Sequence, residues 1–335
     1  MNGEKNKFMS RITKTILGLS IVFFLITIYL FLMGQFSESG PFMVLFFLFL
    51  ALGIRGTDRF KGLSFTVLIF AAVSLSMYYP QSFIQVGDFQ LKKLIVPLLQ
   101  VIMFGMGTAM SFNDFYGVIK MPKGVFVGLI CQFSIMPILG FTLATLFNFP
   151  AEIAAGVVLI GSSPSGLASN VMAYLAKANV ALSVTLTAVA TLMAPFMTPI
   201  LMKYLAGSFV PIDFISMMIS IVKIVILPIA LGLIFNHFFH GKAKWLDKTM
   251  PIISMGGIAL IIMIITAAGR DDLLTIGILL IIAAIIHNLM GYLLGYWGCR
   301  LLNMKEQDCR TIALEVGMQN GGLASKKNHR WHRSY

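Results

Sequence analysis

Charged side chains are scarce in this chain. Asp, Glu, Lys and Arg supply 11% of its 335 residues, while 58% are hydrophobic and mean hydropathy is +0.89. A soluble domain carries roughly 25% charged residues, so a water-soluble fold is excluded and the bilayer becomes the solvent. Cysteine is scarce as well. Cys131, Cys299 and Cys309 are odd in number and lack CxxC spacing, which supports neither a disulfide framework nor a zinc site. The Walker loop, the metalloprotease helix and the nucleophile elbow are all missing, so the sequence reads as no enzyme and asks for no organic cofactor. Acidic residues number 13 against 25 basic ones, a net charge of +12. The basic residues fall between hydrophobic runs rather than on one face. That is the positive-inside bias of cytoplasmic loops and not a nucleic-acid surface.

What is abundant is apolar sequence in lengths that cross a membrane, which takes about 20 residues. The runs are 15–33, 41–54, 62–79, 92–111, 124–147, 151–176, 180–205, 212–236, 250–268, 273–299 and 311–324. The first lacks a convincing small-x-small cleavage site and reads as a retained span rather than a signal peptide. The second is short and predicts an interfacial or strongly tucked helix. Loop charge orients the set. With the N-terminus inside, the inner segments hold Lys5, Lys7, Arg11, Lys14, Arg55, Arg59, Lys61, Lys242, Lys244, Lys248, Arg300, Lys305 and Arg310. The outer segments hold Glu38, Glu152, Asp271 and Asp272, with Lys92, Lys93, Lys203 and Arg270 as exceptions. The balance predicts a multi-pass protein of a bacterial inner membrane with a cytoplasmic N-terminus.

Two of the runs are interrupted by related polar strings. GSSPSGLASN occupies 161–170 and GMQNGGLAS occupies 317–325; both carry Gly-Leu-Ala-Ser, and Gly322 follows Gly166 by 156 residues. The same offset sets Asn288 on Gln132 and Gly317 on Gly161 without a gap. The matched positions lie five spans apart, and an odd number of crossings reverses direction. The sequence therefore predicts an all-α polytopic membrane fold of two inverted five-helix repeats, over 62–207 and 208–324, with two broken crossing helices and the second repeat truncated and incomplete. Residues 1–61 add two hydrophobic segments, and 325–335 form an atypical basic tail. Pro164 and the glycines of both strings break helices at membrane depth, where a freed carbonyl or N–H survives only beside a cavity or inside protein. Paired broken helices are what a secondary transporter builds its binding site from. The alternative is that Gly and Ser merely let helices pack closely.

Glu315 is the sharpest single residue. A carboxylate in an apolar run costs several kcal/mol unless it is paired, protonated or bound to a cation, and its own span holds no Lys or Arg. Against this, Arg310 stands only five residues earlier, as it would near a cytoplasmic helix end. Ser169, Asn170, Gln319 and Asn320 bring oxygens to the same two strings. Ser183 and Thr187 share one helix face at i, i+4; the plain alternative is that each hydroxyl bonds its own i−4 carbonyl. His287, beside Asn288, reads as a packed histidine or a proton relay.

At these residues the chain resembles the bile acid:sodium symporter family. The likeness runs over about 62–324 and is carried by MFGMGTAMSFNDF, GSSPSGLASNVMAYLAKANVALSVTLTAVATLMAPFMTP, LPIALGLI, HNLMGYLLG and LEVGMQNGGLA. It implies a panel domain and a core domain, with two broken helices crossing at the ion sites. It also implies Na+-coupled symport of an organic anion, a bile-acid-like molecule or a small carboxylate metabolite. By motif, one Na+ would meet Ser169, Asn170, Ser183, Thr187 and Glu315. A second would meet Gln132, Glu315 and Gln319 with the carbonyls of Val316 and Met318. Asn320 and Leu167 would touch substrate. Ser165 and Leu167 stand where relatives often have Gly and Thr. After Ala324 the chain ends SKKNHRWHRSY, a basic tail that departs from the family pattern and reads as a shifted frame or early stop. Two other readings follow: a truncated, non-transporting remnant, and a proton-linked or arsenite-type carrier, for which Cys131 beside Gln132 is the one hint.

Overall fold

The structure, a computed structural model, describes residues 2–57, 60–166, 168–239 and 244–321. Almost all of it is helix. In chain order the helices are α1 (Asn2–Leu32), α2 (Phe36–Arg55), α3 (Ser64–Tyr78), α4 (Gln81–Ile84), α5 (Ile95–Thr108), α6 (Phe112–Lys120), α7 (Pro122–Leu146) and α8 (Ala151–Gly161). They continue as α9 (Ala168–Leu175), α10 (Val180–Leu205), α11 (Phe214–Ile221), α12 (Leu227–Phe239), α13 (Lys244–Ala268), α14 (Arg270–Leu301) and α15 (Glu306–Gly317). Eight helical stretches among the described residues are long and apolar enough to cross a membrane; Ser64–Tyr78 and Ala151–Gly161 are shorter apolar helices. The protein is an all-α polytopic membrane protein.

Local chemistry sets the helix ends. Asn179 caps α10 by accepting from the Leu182 N–H at 3.1 Å, and Asp213 caps α11 by accepting from Ser216 at 3.0 Å. Ser111 and Asp114 form a capping box on α6, while Pro122 opens α7 at a position where its missing N–H costs nothing. A π-helical turn, Val222–Ile226, joins α11 to α12 just before Pro228, which has no N–H to donate to Ile224. Between α4 and α5 a two-residue hairpin pairs Gln85 with Gln90 and Val86 with Phe89, turning at Gly87 with φ +56°. The sequence reading missed that hairpin, since four residues give no period to detect.

Two boundaries depart from the sequence reading. The 41–54 run is part of a longer element: α2 is a 20-residue helix, long and apolar enough to cross a membrane, that takes in the polar Ser37–Ser39 start, which an apolar count leaves out. The 311–324 run begins earlier, at Glu306, because α15 opens with a polar turn whose Glu306 and Asp308 complement the positive end of the helix.

The chain packs as two compact units. One comprises Met1–Leu98 and Met255–Thr275. In it, Ser39 and Tyr78 share a 2.9 Å hydrogen bond, Ser64 donates to the Ala51 carbonyl at 2.8 Å, and Arg270 Nε donates to the Met77 carbonyl at 2.8 Å. Phenylalanines 23, 24, 42, 46, 47 and 49 interlock α1 with α2.

The other unit comprises Leu99–Ser254 and Ile276–Tyr335. Its α7, α8, α10 and α15 carry the core, with one cluster around Val125, Met136, Leu186, Ile312 and Val316 and another around Ala154, Ala155, Val158 and Met202. All three cysteines sit in the first cluster as buried free thiols, so packing accounts for them. Helices α5 and α12 touch backbone to backbone. A Cβ at Gly107 would collide with the Ile229 carbonyl, and one at Gly232 with the Phe104 carbonyl.

Candidate functional site

Helix α8 ends at Gly161 and α9 begins at Ala168, and the first polar string is unwound over 162–166. Helix α15 ends at Gly317, and Met318–Asn320 are unwound in turn. The two unwound segments lie antiparallel and complete each other. Gly166 N–H donates to the Met318 carbonyl at 3.0 Å, Asn320 N–H donates to the Pro164 carbonyl at 2.8 Å, and Ser165 pairs with Gln319 as an isolated β-bridge. Each break thus supplies the backbone partners that the other lost. In hydrocarbon that exchange replaces the water that would otherwise serve these groups. Residues 322–335, including the second Gly-Leu-Ala-Ser and the basic tail, lie outside the described residues, as does Leu167.

Glu315 stands one turn before the second break and is 1% exposed. Its Oε1 accepts from Ser169 at 2.6 Å and Ser183 at 2.5 Å; its Oε2 accepts from Ser165 at 2.6 Å and Thr187 at 2.9 Å. The ion pairs found among the described residues are Arg270–Asp271 and Arg310–Glu306, so Arg310 is spent on its own helix at i, i+4. No described Lys or Arg neutralises Glu315. Arg310 therefore does not account for this carboxylate, which is met by hydroxyls drawn from three segments.

The hydroxyls are short of protons. Each Ser or Thr has one to give. Yet Ser169 also faces the Gly166 carbonyl at 2.8 Å, while Ser183 and Thr187 also face Asn170 Oδ1 at 2.8 and 3.3 Å. If the protons go to the carboxylate, where charge makes the bond roughly twice as strong, then Asn170 Oδ1 and the hydroxyl lone pairs are left facing one another. An enclosed surplus of hard oxygens around one negative charge suits a small hard cation. The donor chemistry fits Na+.

A second polar knot adjoins the first. Gln132, on α7 and 2% exposed, donates through Nε2 to the Ser163 carbonyl at 2.9 Å and to Gln319 Oε1 at 2.8 Å. Gln319 Nε2 donates to the Val316 carbonyl at 2.7 Å. Gln132 Oε1 is buried with no hydrogen-bond partner, one of two such side-chain atoms among the described residues; the other is Ser162 Oγ. An orphaned buried amide oxygen is a hard donor that a cation could use. The carbonyls of Val316 and Met318 each already accept one bond and keep a second lone pair. Asn320 is half-buried at the antiparallel pairing.

The offset pair Gln132 and Asn288 do corresponding work. Asn288 Nδ2 donates to the Gly317 carbonyl at 2.6 Å, as Gln132 does to that of Ser163, so each holds an oxygen freed at a break. His287 contacts the Met136 carbonyl at 2.9 Å and is buried, which is the packed arrangement. Along α10 the alternatives separate by residue. Thr185 and Thr191 do bond their i−4 carbonyls, at 2.9 and 2.7 Å, whereas Ser183 and Thr187 turn to Glu315. The sequence reading did not assign Ser165 to the carboxylate. The one available signal was a hydroxyl within the break itself.

Comparison with known proteins gives this geometry its context. Residues 96–276 match the profile of the Sodium Bile acid symporter family. The chain is 39% identical over 272 residues to an "uncharacterized sodium-dependent transporter" of Bacillus subtilis (strain 168), covering 81% of this chain and 83% of that one. It is 36% identical over 225 residues to a chloroplastic "probable sodium/metabolite cotransporter" of Arabidopsis thaliana, covering 67% of this chain and 56% of that protein. With the ileal sodium/bile acid cotransporter of Oryctolagus cuniculus it shares 34% identity over 245 residues, 70% of this chain and 69% of that protein. All are transporters. A match over most of the chain, joined to paired breaks around a buried carboxylate, assigns the protein: it belongs to the sodium bile acid symporter family.

Proposed function

We propose that this protein is a Na+-coupled symporter of an organic anion. The observation that carries the reading is Glu315, buried without a basic partner among the described residues and ringed by four hydroxyls. One Na+ binds among Ser169, Asn170, Ser183, Thr187 and Glu315. A second binds among Gln132, Glu315, Gln319 and the carbonyls of Val316 and Met318. Each hydroxyl directs its proton to the carboxylate and its lone pairs to the ion.

Loading neutralises Glu315 and fixes the two breaks against each other. Asn320 then faces substrate on a surface that a bound ion has organised, with Leu167, outside the described residues, as the second proposed contact. An ion that favours the binding-competent state raises substrate affinity, and by linkage the substrate raises ion affinity by the same factor. Inverted repeats over 62–207 and 208–324, moving as core against panel with the N-terminus cytoplasmic, would expose the site to each side of a bacterial inner membrane in turn.

Thermal stability of the detergent-solubilised protein, in Na+ against K+ at equal ionic strength, tests the reading. A ligand at a hundredfold excess over Kd stabilises the folded state by about 2.7 kcal/mol. The expected outcome is a Na+-specific rise in the unfolding midpoint that is absent in Glu315→Ala. Identical curves in the two salts for the wild type would sink the sodium assignment.

A further inference from the structure

We propose that Ser165 is a positioning residue that couples the two cation sites; the inference rests on the sodium reading of Glu315. Ser165 lies in the first break, is 1% exposed, and belongs to neither ligand set. Two of its contacts reach across from the first break. Its hydroxyl donates to Glu315 Oε2 at 2.6 Å, and its backbone lies opposite Gln319 in a bridge closed by the Gly166 N–H on the Met318 carbonyl and the Asn320 N–H on the Pro164 carbonyl. Glu315 is the carboxylate common to both sites, and Gln319 is a ligand of the second. One residue therefore holds the first and faces the second across the bridge.

A purely local serine would behave otherwise. Ser163, two positions earlier, returns its proton to the Leu159 carbonyl of its own helix at 2.8 Å. Ser165 makes no such bond to the preceding helix, and its proton is spent across the break.

The bond also fixes which way the carboxylate faces. Rotation of a terminal carboxyl is a broad, soft torsion. Ser169 and Ser183 anchor Oε1, and Thr187 and Ser165 anchor Oε2. Removing Ser165 leaves Oε2 with Thr187 alone. Every named ligand of the first site stays in place, but the shared carboxylate is free to swing toward one ion at the expense of the other. Affinity and cooperativity should fall together.

The test is a Na+ titration of the unfolding midpoint at constant ionic strength, on the full chain in detergent. The wild type is expected to rise with a Hill slope above one. Ser165→Ala is expected to need about tenfold more Na+, a loss of about 1.4 kcal/mol, with the slope reduced to one. Ser165→Thr keeps the hydroxyl and is expected within about twofold of wild type, well inside that tenfold step. If Ser165→Ala yields no folded protein, Ser165→Gly takes its place with the same expectation. The proposal is overturned if the hydroxyl-free variant titrates like wild type, or if Ser165→Thr loses as much as Ser165→Ala. A wild type indifferent to Na+ would instead overturn the sodium reading beneath it, an outcome distinguishable from both.

Discussion

The two breaks share a motif but not a chemistry. The first, over 162–166, contributes Ser165 from its unwound stretch and Ser169 from the helical turn that follows, both of them proton donors. The second follows Glu315 and contains Gln319, an acceptor charge and an amide. Each is therefore incomplete in the same sense as half of an ion pair. The bonds that complete them span 146 and 150 residues of sequence, so no local refolding of one break can satisfy it. A repeated motif has been divided into donor and acceptor halves, and the division is what makes their pairing obligatory.

Substitutions that strike only one half sharpen this comparison. The largest effect on stability is expected from Gln132→Leu, which leaves the Ser163 carbonyl and Gln319 Oε1 without their shared donor. An unsatisfied buried acceptor costs about 1–3 kcal/mol, measurable as a lowered unfolding midpoint in K+, where no sodium contribution enters. Next comes a matched pair on α10. Thr187→Val removes a donor from Glu315 and is expected to raise the Na+ needed for half-maximal stabilisation several-fold. Thr191→Val removes only a bond to the Thr187 carbonyl and should leave the Na+ titration unchanged; equal ion phenotypes would refute the division of roles along that helix.

Asn288→Ala frees the Gly317 carbonyl at a half-buried site, with an expected cost of about 1 kcal/mol and little change in Na+ response. A collapse of ion binding in that variant would show that Asn288 does more than hold backbone. The smallest effect lies outside the membrane. A hydrogen bond from Tyr296, with a further one from Arg310, holds the Glu306 carboxyl below the ordinary carboxylate range. A lowered folded-state pKa stabilises above the unfolded value and is lost as pH falls through the folded one. Tyr296→Phe should therefore lower the midpoint slightly near neutrality, with the difference closing as pH falls through the depressed range of the Glu306 carboxyl. Glu306 is exposed, so solvent screens most of the gain.

Much of the site was legible because hydrocarbon makes polar residues conspicuous. Glu315, Gln132 and the paired Gly-rich strings stood out as costs that a span does not carry without return. Ser183 and Thr187 were less legible. On sequence they are indistinguishable from Thr185 and Thr191, since all four are hydroxyls on an apolar helix. Only the place of the carboxylate separates them. Ser165 was hidden for a similar reason, because a hydroxyl inside a break gives no indication of which segment lies beside it. Helix ends were misjudged where polar turns such as Ser37–Ser39 and Glu306–Arg310 extend a helix beyond its apolar run.

The sequence by itself determined the solvent, the helical class, the two interruptions and the presence of a charge needing a partner. Those follow from composition and spacing, because an apolar run must satisfy its backbone internally and a proline or glycine cluster prevents it from doing so. The tertiary structure alone decided which oxygens meet. It brought the first break, α9 and α10 to the carboxylate of α15, tied Gln132 of α7 to both breaks, paired the two breaks strand to strand, and sent the Ser165 proton across to Glu315. A hydrogen bond is fixed by position to within a fraction of an ångström, and positions separated by 150 residues are set by packing, not by spacing along the chain.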